Sequence, residues 1–189
     1  MYREKALEIL REHNPYGEPL ENHCLRVAEL TLALGEHRGV AVDEDLVFAI
    51  AYLHDLGLCV ESRSPASYLV RGLEVARPHA ESWGLDEGQL QTFEDGMLYN
   101  HSLAGVDGIS PTGDLIRRAV QVEHSLGAIS HGLPRREVEQ VLARHPRRGF
   151  ERVLLAFAKK AVLEDGPAEV LRIFFPTGLG PLKALRGPG

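Results

Sequence analysis

The chain has 189 residues, of which 44% are hydrophobic and 25% charged, and this balance is typical of a globular protein rather than a disordered or fibrous one. Its formal net charge of −6 disfavours binding to nucleic acid through phosphate neutralisation, because that mode of binding requires a basic surface. The sequence shows no apolar run as long as a membrane span, no apolar signal region and no Cys-x-x-Cys pair, so we expect a cytoplasmic protein without a disulfide framework or a membrane partner.

Hydrophobic periodicity predicts one helix after another, with almost no strand-like alternation. In chain order the predicted helices cover residues 7–10, 19–35, 43–57, 64–84, 86–98, 114–131, 134–143, 149–162 and 168–175. Pro78 is expected to break or kink the fourth helix, and the Gly- and Pro-containing stretch 105–113 is predicted to be a loop. We therefore predict an all-α fold, with a single domain over residues 1–175 and a loose Gly/Pro-rich tail over 176–189.

Histidines and acids on the apolar faces of these helices are the strongest functional signal in the sequence. His54 and Asp55 stand side by side among apolar residues, where an unpaired carboxylate would cost several kcal/mol. A metal ion removes that cost, since imidazole nitrogen and carboxylate oxygen are common metal ligands. A single inward histidine is more often a core residue than a ligand, so the prediction depends on the whole set. The candidate metal ligands are His23, His54, Asp55, His79, His101 and Glu123.

The ordered set resembles the HD-domain superfamily of metal-dependent hydrolases. The resemblance covers roughly residues 20–135, and its most specific part is the doublet in Leu53-His54-Asp55-Leu56-Gly57. It implies a helical bundle that holds one or two divalent ions (Fe, Mn, Zn, Ni or Mg), with Asp55 bridging them if both are present. It also implies a phosphohydrolase that acts on a nucleotide or another small phosphoester through metal-activated water.

The last ligand departs from the family pattern, which closes with an aspartate on a later helix. The corresponding stretch here reads Ala119-Val120-Gln121-Val122-Glu123-His124. If Val120 occupies the ligand position, the site has lost a carboxylate, whereas a shifted helix would let Glu123 replace it. We favour Glu123 because it falls on the apolar stripe, and we rank His124 lower because it lies about 100° away around the helix.

Four side chains are expected to take part in the chemistry beyond simple ligation. Asp55 and Glu123 are the candidate catalytic groups, and Arg26 and Arg117 are candidates for contacting the substrate phosphate. Arg26 has an alternative role in an ion pair with Glu29 or with a neighbouring helix. The arginines between residues 135 and 152 are interpreted as a solvated face.

Two other functions stay open from the sequence. Some HD-domain proteins hold two irons and oxidise their substrates with dioxygen, and Tyr16-Gly17-Glu18 invites comparison with the gating residues of those enzymes. The gap of five residues from Glu18 to His23 is short for that motif, so this function ranks second. The third possibility is a binding module whose metal site has decayed at Val120.

Overall fold

The computed structural model describes residues 1–61 and 66–176, and the regular secondary structure of this part of the chain is entirely helical, as predicted. The helices are α1 (Tyr2–His13), α2 (Glu18–Arg38), α3 (Glu44–Leu53), α4 (Leu56–Cys59), α5 (Tyr68–Ser82), α6 (Glu87–Tyr99), α7 (Pro111–His124), α8 (Arg135–Arg144), α9 (Phe150–Glu164) and α10 (Pro167–Phe174). Within the described ranges no helix combines the length and the apolar character needed to cross a membrane.

The long helix α2 and the short apolar helix α3 form the centre of the bundle. From Leu46 to Leu53 every residue of α3 is buried, as expected for a helix that is apolar on all sides. Helix α1 packs on one side of α3, and α2 packs against both α3 and α7. Helices α5 and α6 pair with each other, and α6 also contacts α3 and α7, so the buried faces converge on α2 and α3.

The third predicted helix does not run to Gly57 as the sequence suggested. Helix α3 ends at Leu53, and the single turn α4 begins only at Leu56. Asp55 lies between them with φ −103° and ψ 9°, outside helical geometry. Periodicity did not reveal this break because apolar residues continue on both sides of it.

Three other boundaries also differ from the predictions. Helix α5 is continuous through Pro78 and begins at Tyr68, while the predicted start at residues 64–65 lies outside the described residues. Helix α7 begins at Pro111, where the Ser110 side chain caps the backbone N–H of Gly113, and it ends at His124 instead of residue 131. The tail is described only at Pro176, and residues 177–189 lie outside the described part.

Candidate metal centre

The break between α3 and α4 fixes the orientation of His54. Its Nδ1 lies 2.7 Å from the carbonyl oxygen of Ala51, one of the acceptors left free at a helix C-terminus. Nδ1 therefore carries the proton and donates it to this carbonyl, and the lone pair of Nε2 points into the interior. The break also places the Asp55 side chain beside the His54 ring instead of one helical step away from it.

His23 reaches the same point from the second turn of α2. Its side chain is fully buried, and its ring stacks on Phe150 with the ring centres 4.3 Å apart. The two ring nitrogens face different partners: Nε2 lies 3.2 Å from Nε2 of His54, and Nδ1 lies 3.2 Å from Oε2 of Glu123. A carboxylate next to Nδ1 favours the tautomer in which Nε2 is free to bind a metal.

Three ligand atoms form a small triangle at the centre of the bundle. The Nε2 atoms of His23 and His54 are 3.2 Å apart, and they lie 3.5 Å and 3.3 Å from Oδ2 of Asp55. Metal–nitrogen and metal–oxygen bonds of about 2.0–2.1 Å place tetrahedral ligand atoms about 3.3 Å apart. The triangle therefore has the size that one divalent ion requires, and its three residues form a group that could hold a metal.

The charge of Asp55 also favours a cation. Burial disfavours its charged form, but the imidazoles of His54, His101 and His23 outweigh burial and hold the pKa of Asp55 well below its usual range. In the described ranges no Lys or Arg side chain forms an ion pair with this carboxylate, which is only 3% exposed. A buried, ionised carboxylate that faces imidazole nitrogens and has no Lys or Arg partner in the described ranges is a site that a metal ion completes.

His101 and His124 line the open side of the triangle. Nε2 of His101 lies 3.2 Å from Oδ1 of Asp55, the carboxylate oxygen that His23 and His54 leave free. The His124 ring lies between those of His23 and His101, with ring centres 5.4 Å and 5.5 Å away. Burial, together with the neighbouring His23 and His101, lowers the pKa of His124 to about 3, so its ring is neutral. Its buried Nε2 has no hydrogen-bond partner and is available to a ligand.

Glu123 is buried behind His23, where two arginines bind it. Nε of Arg26 and Nη1 of Arg147 donate to its Oε1 over 2.8 Å and 2.9 Å. Its other oxygen lies 3.2 Å from Nδ1 of His23 and 3.7 Å from Nε2 of His124. Burial opposes its ionisation, yet the adjacent His23, His124 and Arg26 lower the pKa of Glu123. Its position next to Nδ1 makes it a carboxylate that orients His23, as well as part of a second possible ligand group with His23 and His124.

The structure brings five of the six predicted ligands together and leaves out His79. The expectation that His79 faces inward is wrong, since this residue is exposed in the last turn of α5. The buried stripe of this helix passes through Leu69, Ala76 and Ala80, and His79 lies roughly 80° away from its centre. Its spacing after Ala76 was a misleading signal.

The two predicted phosphate contacts are engaged elsewhere. Arg26 is fully buried, and besides Glu123 it donates from Nη1 to the carbonyl oxygen of His145 over 2.8 Å. Its ion pair is therefore with α7 and not with Glu29, which pairs with Arg144. Arg117 donates to Asp114 and to the carbonyl oxygen of Ser102, because it lies on the side of α7 that faces the loop after α6. Because these contacts use both guanidinium groups, neither Arg26 nor Arg117 is placed to bind a substrate phosphate, contrary to the expectation from the sequence.

The residues compared with an oxygenase gate also lie away from the triangle. The Tyr16 ring packs edge-on against Phe157, and Glu18 is an exposed partner of Arg148. Val120 is 1% exposed and belongs to the hydrophobic core.

Sequence reasoning missed two contributors from the C-terminal part of the chain. Phe150 stacks on His23, and Arg147 binds Glu123 although it was assigned to a solvated face. Neither has a local signal, because Phe150 meets α2, and Arg147 meets α7, only through tertiary packing. His124 was noticed but ranked too low, since its position beside His101 depends on how α6 and α7 pack.

Comparison with protein families agrees with the geometry. The sequence model of the HD-domain family matches residues 20–150, which is more than half of the chain and includes every residue of the cluster. No curated protein matches the chain. The chain therefore belongs to the HD-domain family, and the resemblance identified from its sequence is confirmed.

Proposed function

Because the chain belongs to the HD-domain family, we propose that it is a metal-dependent hydrolase that cleaves a small phosphoester. The observation that carries this proposal is the triangle of His23 Nε2, His54 Nε2 and Asp55 Oδ2, with mutual distances of 3.2–3.5 Å. These three residues would hold one divalent ion. When bound, such an ion supplies a nucleophile near neutral pH by lowering the pKa of water.

The protein's own side chains do the remaining work. His54 is held by its hydrogen bond to the Ala51 carbonyl, and His23 is packed against the Phe150 ring with the Glu123 carboxylate beside its Nδ1, so both imidazoles are oriented before a ligand arrives. His101 stands against the second oxygen of Asp55 at 3.2 Å. In the reaction, water oxygen bonds to phosphorus, the phosphorus–oxygen bond to the alcohol breaks, and the alcohol leaves with a proton.

The test is phosphate release from p-nitrophenyl phosphate and bis(p-nitrophenyl) phosphate by protein loaded separately with Mn, Zn, Fe, Ni or Mg. We expect turnover with at least one metal and loss of this turnover on chelation. In Asp55→Asn the rate should fall by about 100-fold or more. Arg148→Gln, a change on the exposed surface, is the matched control and should keep the wild-type rate. Activity that survives both chelation and Asp55→Asn would refute the proposal.

A binding module without hydrolytic activity is the second candidate. Its support is Glu123, whose Oε1 is bound by two arginines and whose charge is already neutralised. Such a protein would bind a phosphoester at its site without cleaving it. Stoichiometric metal with no turnover on any phosphoester would favour this candidate over the hydrolase.

A further inference from the structure

A cavity of about 290 Å³ opens next to the metal centre. One end of it is polar and consists of Asp55, His101 and His124, with the buried ring of Tyr68 beside them. The rest of the wall is apolar. Any molecule that reaches the exposed side of the triangle through this cavity must therefore bring part of its structure into contact with hydrocarbon.

Two helices at the C-terminal end of the described chain build the apolar wall. Helix α9 contributes a stripe with steps of three, one, three and one residues, which is one face of a helix. Helix α10 contributes a second stripe that closes the cavity from the other side. The wall residues from these two helices are Leu154, Phe157, Ala158, Ala161, Val162, Val170, Ile173 and Phe174.

The cavity lacks the positive charge that a nucleotide or polyphosphate needs. None of the described lining residues is Lys or Arg. Arg26 is bound to Glu123, and Arg117 is bound to Asp114. Lys160 of α9 donates to the carbonyl oxygens of Leu58 and Val60, each over 3.0 Å. Several phosphates in one ligand would therefore find no side-chain cation here, whereas a single anionic head could face the metal centre.

We infer that this cavity binds the apolar hydrocarbon group of a phosphomonoester whose phosphate faces His23, His54 and Asp55. The inference deepens the proposed hydrolase function and rests on it. Burial of the hydrocarbon between α9 and α10 selects the substrate, while the polar end of the cavity positions the bond to be cleaved. The absence of lysine and arginine among the described lining residues disfavours nucleotides with several phosphates, and the wall from α9 and α10 carries no polar side chain to bind a base or a ribose. The cavity therefore favours esters of a single phosphate with an aliphatic or aromatic alcohol over nucleotides.

The test is calorimetric binding of alkylphosphonates, which cannot be hydrolysed, to the full-length protein loaded with Mn or Zn. Methyl-, butyl-, hexyl- and octylphosphonate are compared with adenosine monophosphate. Each buried methylene should lower Kd by about fourfold until the cavity is full. Hexylphosphonate should therefore bind far more tightly than methylphosphonate and more tightly than the nucleotide.

Variants of α9 locate the effect in the cavity. Ala158→Phe and Ala161→Phe fill the space from the wall and should remove the gain with chain length while methylphosphonate still binds. Ala158 is exposed at the cavity mouth, so its variant remains informative if the more buried Ala161→Phe fails to fold. Leu155→Phe is the matched control, because Leu155 is 71% exposed and does not line the cavity.

The outcomes separate this inference from the proposed function. Metal-dependent binding of methylphosphonate without any gain from longer chains would overturn the inference and leave the hydrolase standing. Tighter binding of adenosine monophosphate than of hexylphosphonate would overturn it in the same way. If no phosphonate binds, or if binding is the same without metal, the proposed placement of phosphate at the metal centre is wrong as well.

Discussion

Each of the two imidazoles in the triangle faces a partner through its second ring nitrogen. His54 donates to a backbone carbonyl at the end of its own helix, and Nδ1 of His23 lies 3.2 Å from the carboxylate of Glu123. Glu123 is in turn held by Arg26 and Arg147, so its charge is balanced without using the metal. In the described residues Asp55, unlike Glu123, has no arginine partner, so its negative charge is available to a bound cation.

Replacing Glu123 with Gln tests its role as a positioning residue. Glu123→Gln keeps the size of the side chain but removes the charge that faces Nδ1 of His23. We expect the affinity for Mn or Zn to fall by about 10- to 100-fold, the range found when the outer partner of a metal-binding histidine is lost. Glu29→Gln is the control, since Glu29 pairs with Arg144 and His145 outside the cluster. An unchanged metal Kd in folded Glu123→Gln would show that Glu123 does not orient His23.

Local periodicity predicted the inward positions of His23 and His101 because each lies on a continuous apolar stripe. It failed for His79, where a position close to the stripe was mistaken for a position on it. It also could not predict that Arg147 reaches Glu123, because Arg147 lies in the loop before α9, 24 positions after Glu123 of α7, and the two meet only through tertiary packing. The family resemblance identified the fold, but the partner of each ring nitrogen depends on tertiary contacts.

At the level of helices, the contact between α4 and α5 supports the doublet. Gly57 lies two residues after Asp55, and a Cβ there would collide with the backbone carbonyl of Tyr68 and come within 2.8 Å of the Gly72 nitrogen. These are backbone atoms that cannot move aside like the end of a flexible side chain. The absence of a side chain at Gly57 therefore lets α4 pack directly against α5, beside the metal centre.

Gly57→Ala should consequently destabilise the protein by about 3 kcal/mol, at the upper end of the usual cost of overpacking. The free energy of unfolding in urea measures this effect. Gly105→Ala provides the comparison, since a Cβ at Gly105 meets no atom within 4 Å, and it should change stability by less than about 0.5 kcal/mol. Equal stabilities of the two variants would show that the α4–α5 contact is looser than described.

Asp114 in the first turn of α7 links this helix to the pH dependence of stability. Burial raises its pKa, but hydrogen bonds from Arg118 and Arg117 outweigh burial, and the net pKa is lowered. The folded pKa therefore lies below the unfolded value of about 3.9, and the stabilisation is present above that value and lost as the pH falls through the folded pKa.

Asp114→Asn should therefore destabilise the protein more at pH 6 than at pH 3, because below about pH 3.9 the carboxyl of the unfolded chain binds a proton more readily than the folded one, which weakens the stabilisation. Urea unfolding at a series of pH values measures the difference. Asp107→Asn, in the exposed loop before α7, is the control, and its effect on the free energy of unfolding should be the same at pH 6 and pH 3. A destabilisation by Asp114→Asn that is the same at both pH values would contradict the assignment of this titration to Asp114.

At the level of the whole molecule, the polar cluster and the apolar wall of the cavity are built by different helices. Helices α2, α3, α6 and α7 bring the candidate metal ligands to one point, and α9 and α10 add an apolar wall beside it. The all-α class was predictable because helical periodicity runs along the entire chain. The wall was not, since the apolar residues of α9 and α10 look in sequence like ordinary core residues.

The central claim is that His23, His54 and Asp55 hold one metal ion. It is tested most directly by the metal content of protein purified anaerobically, loaded with metal, desalted and measured by mass spectrometry. Wild-type protein and His79→Ala should each retain one equivalent, whereas His54→Ala should retain at least about tenfold less. Full metal occupancy in folded His54→Ala, or loss of the ion from His79→Ala, would contradict the assignment.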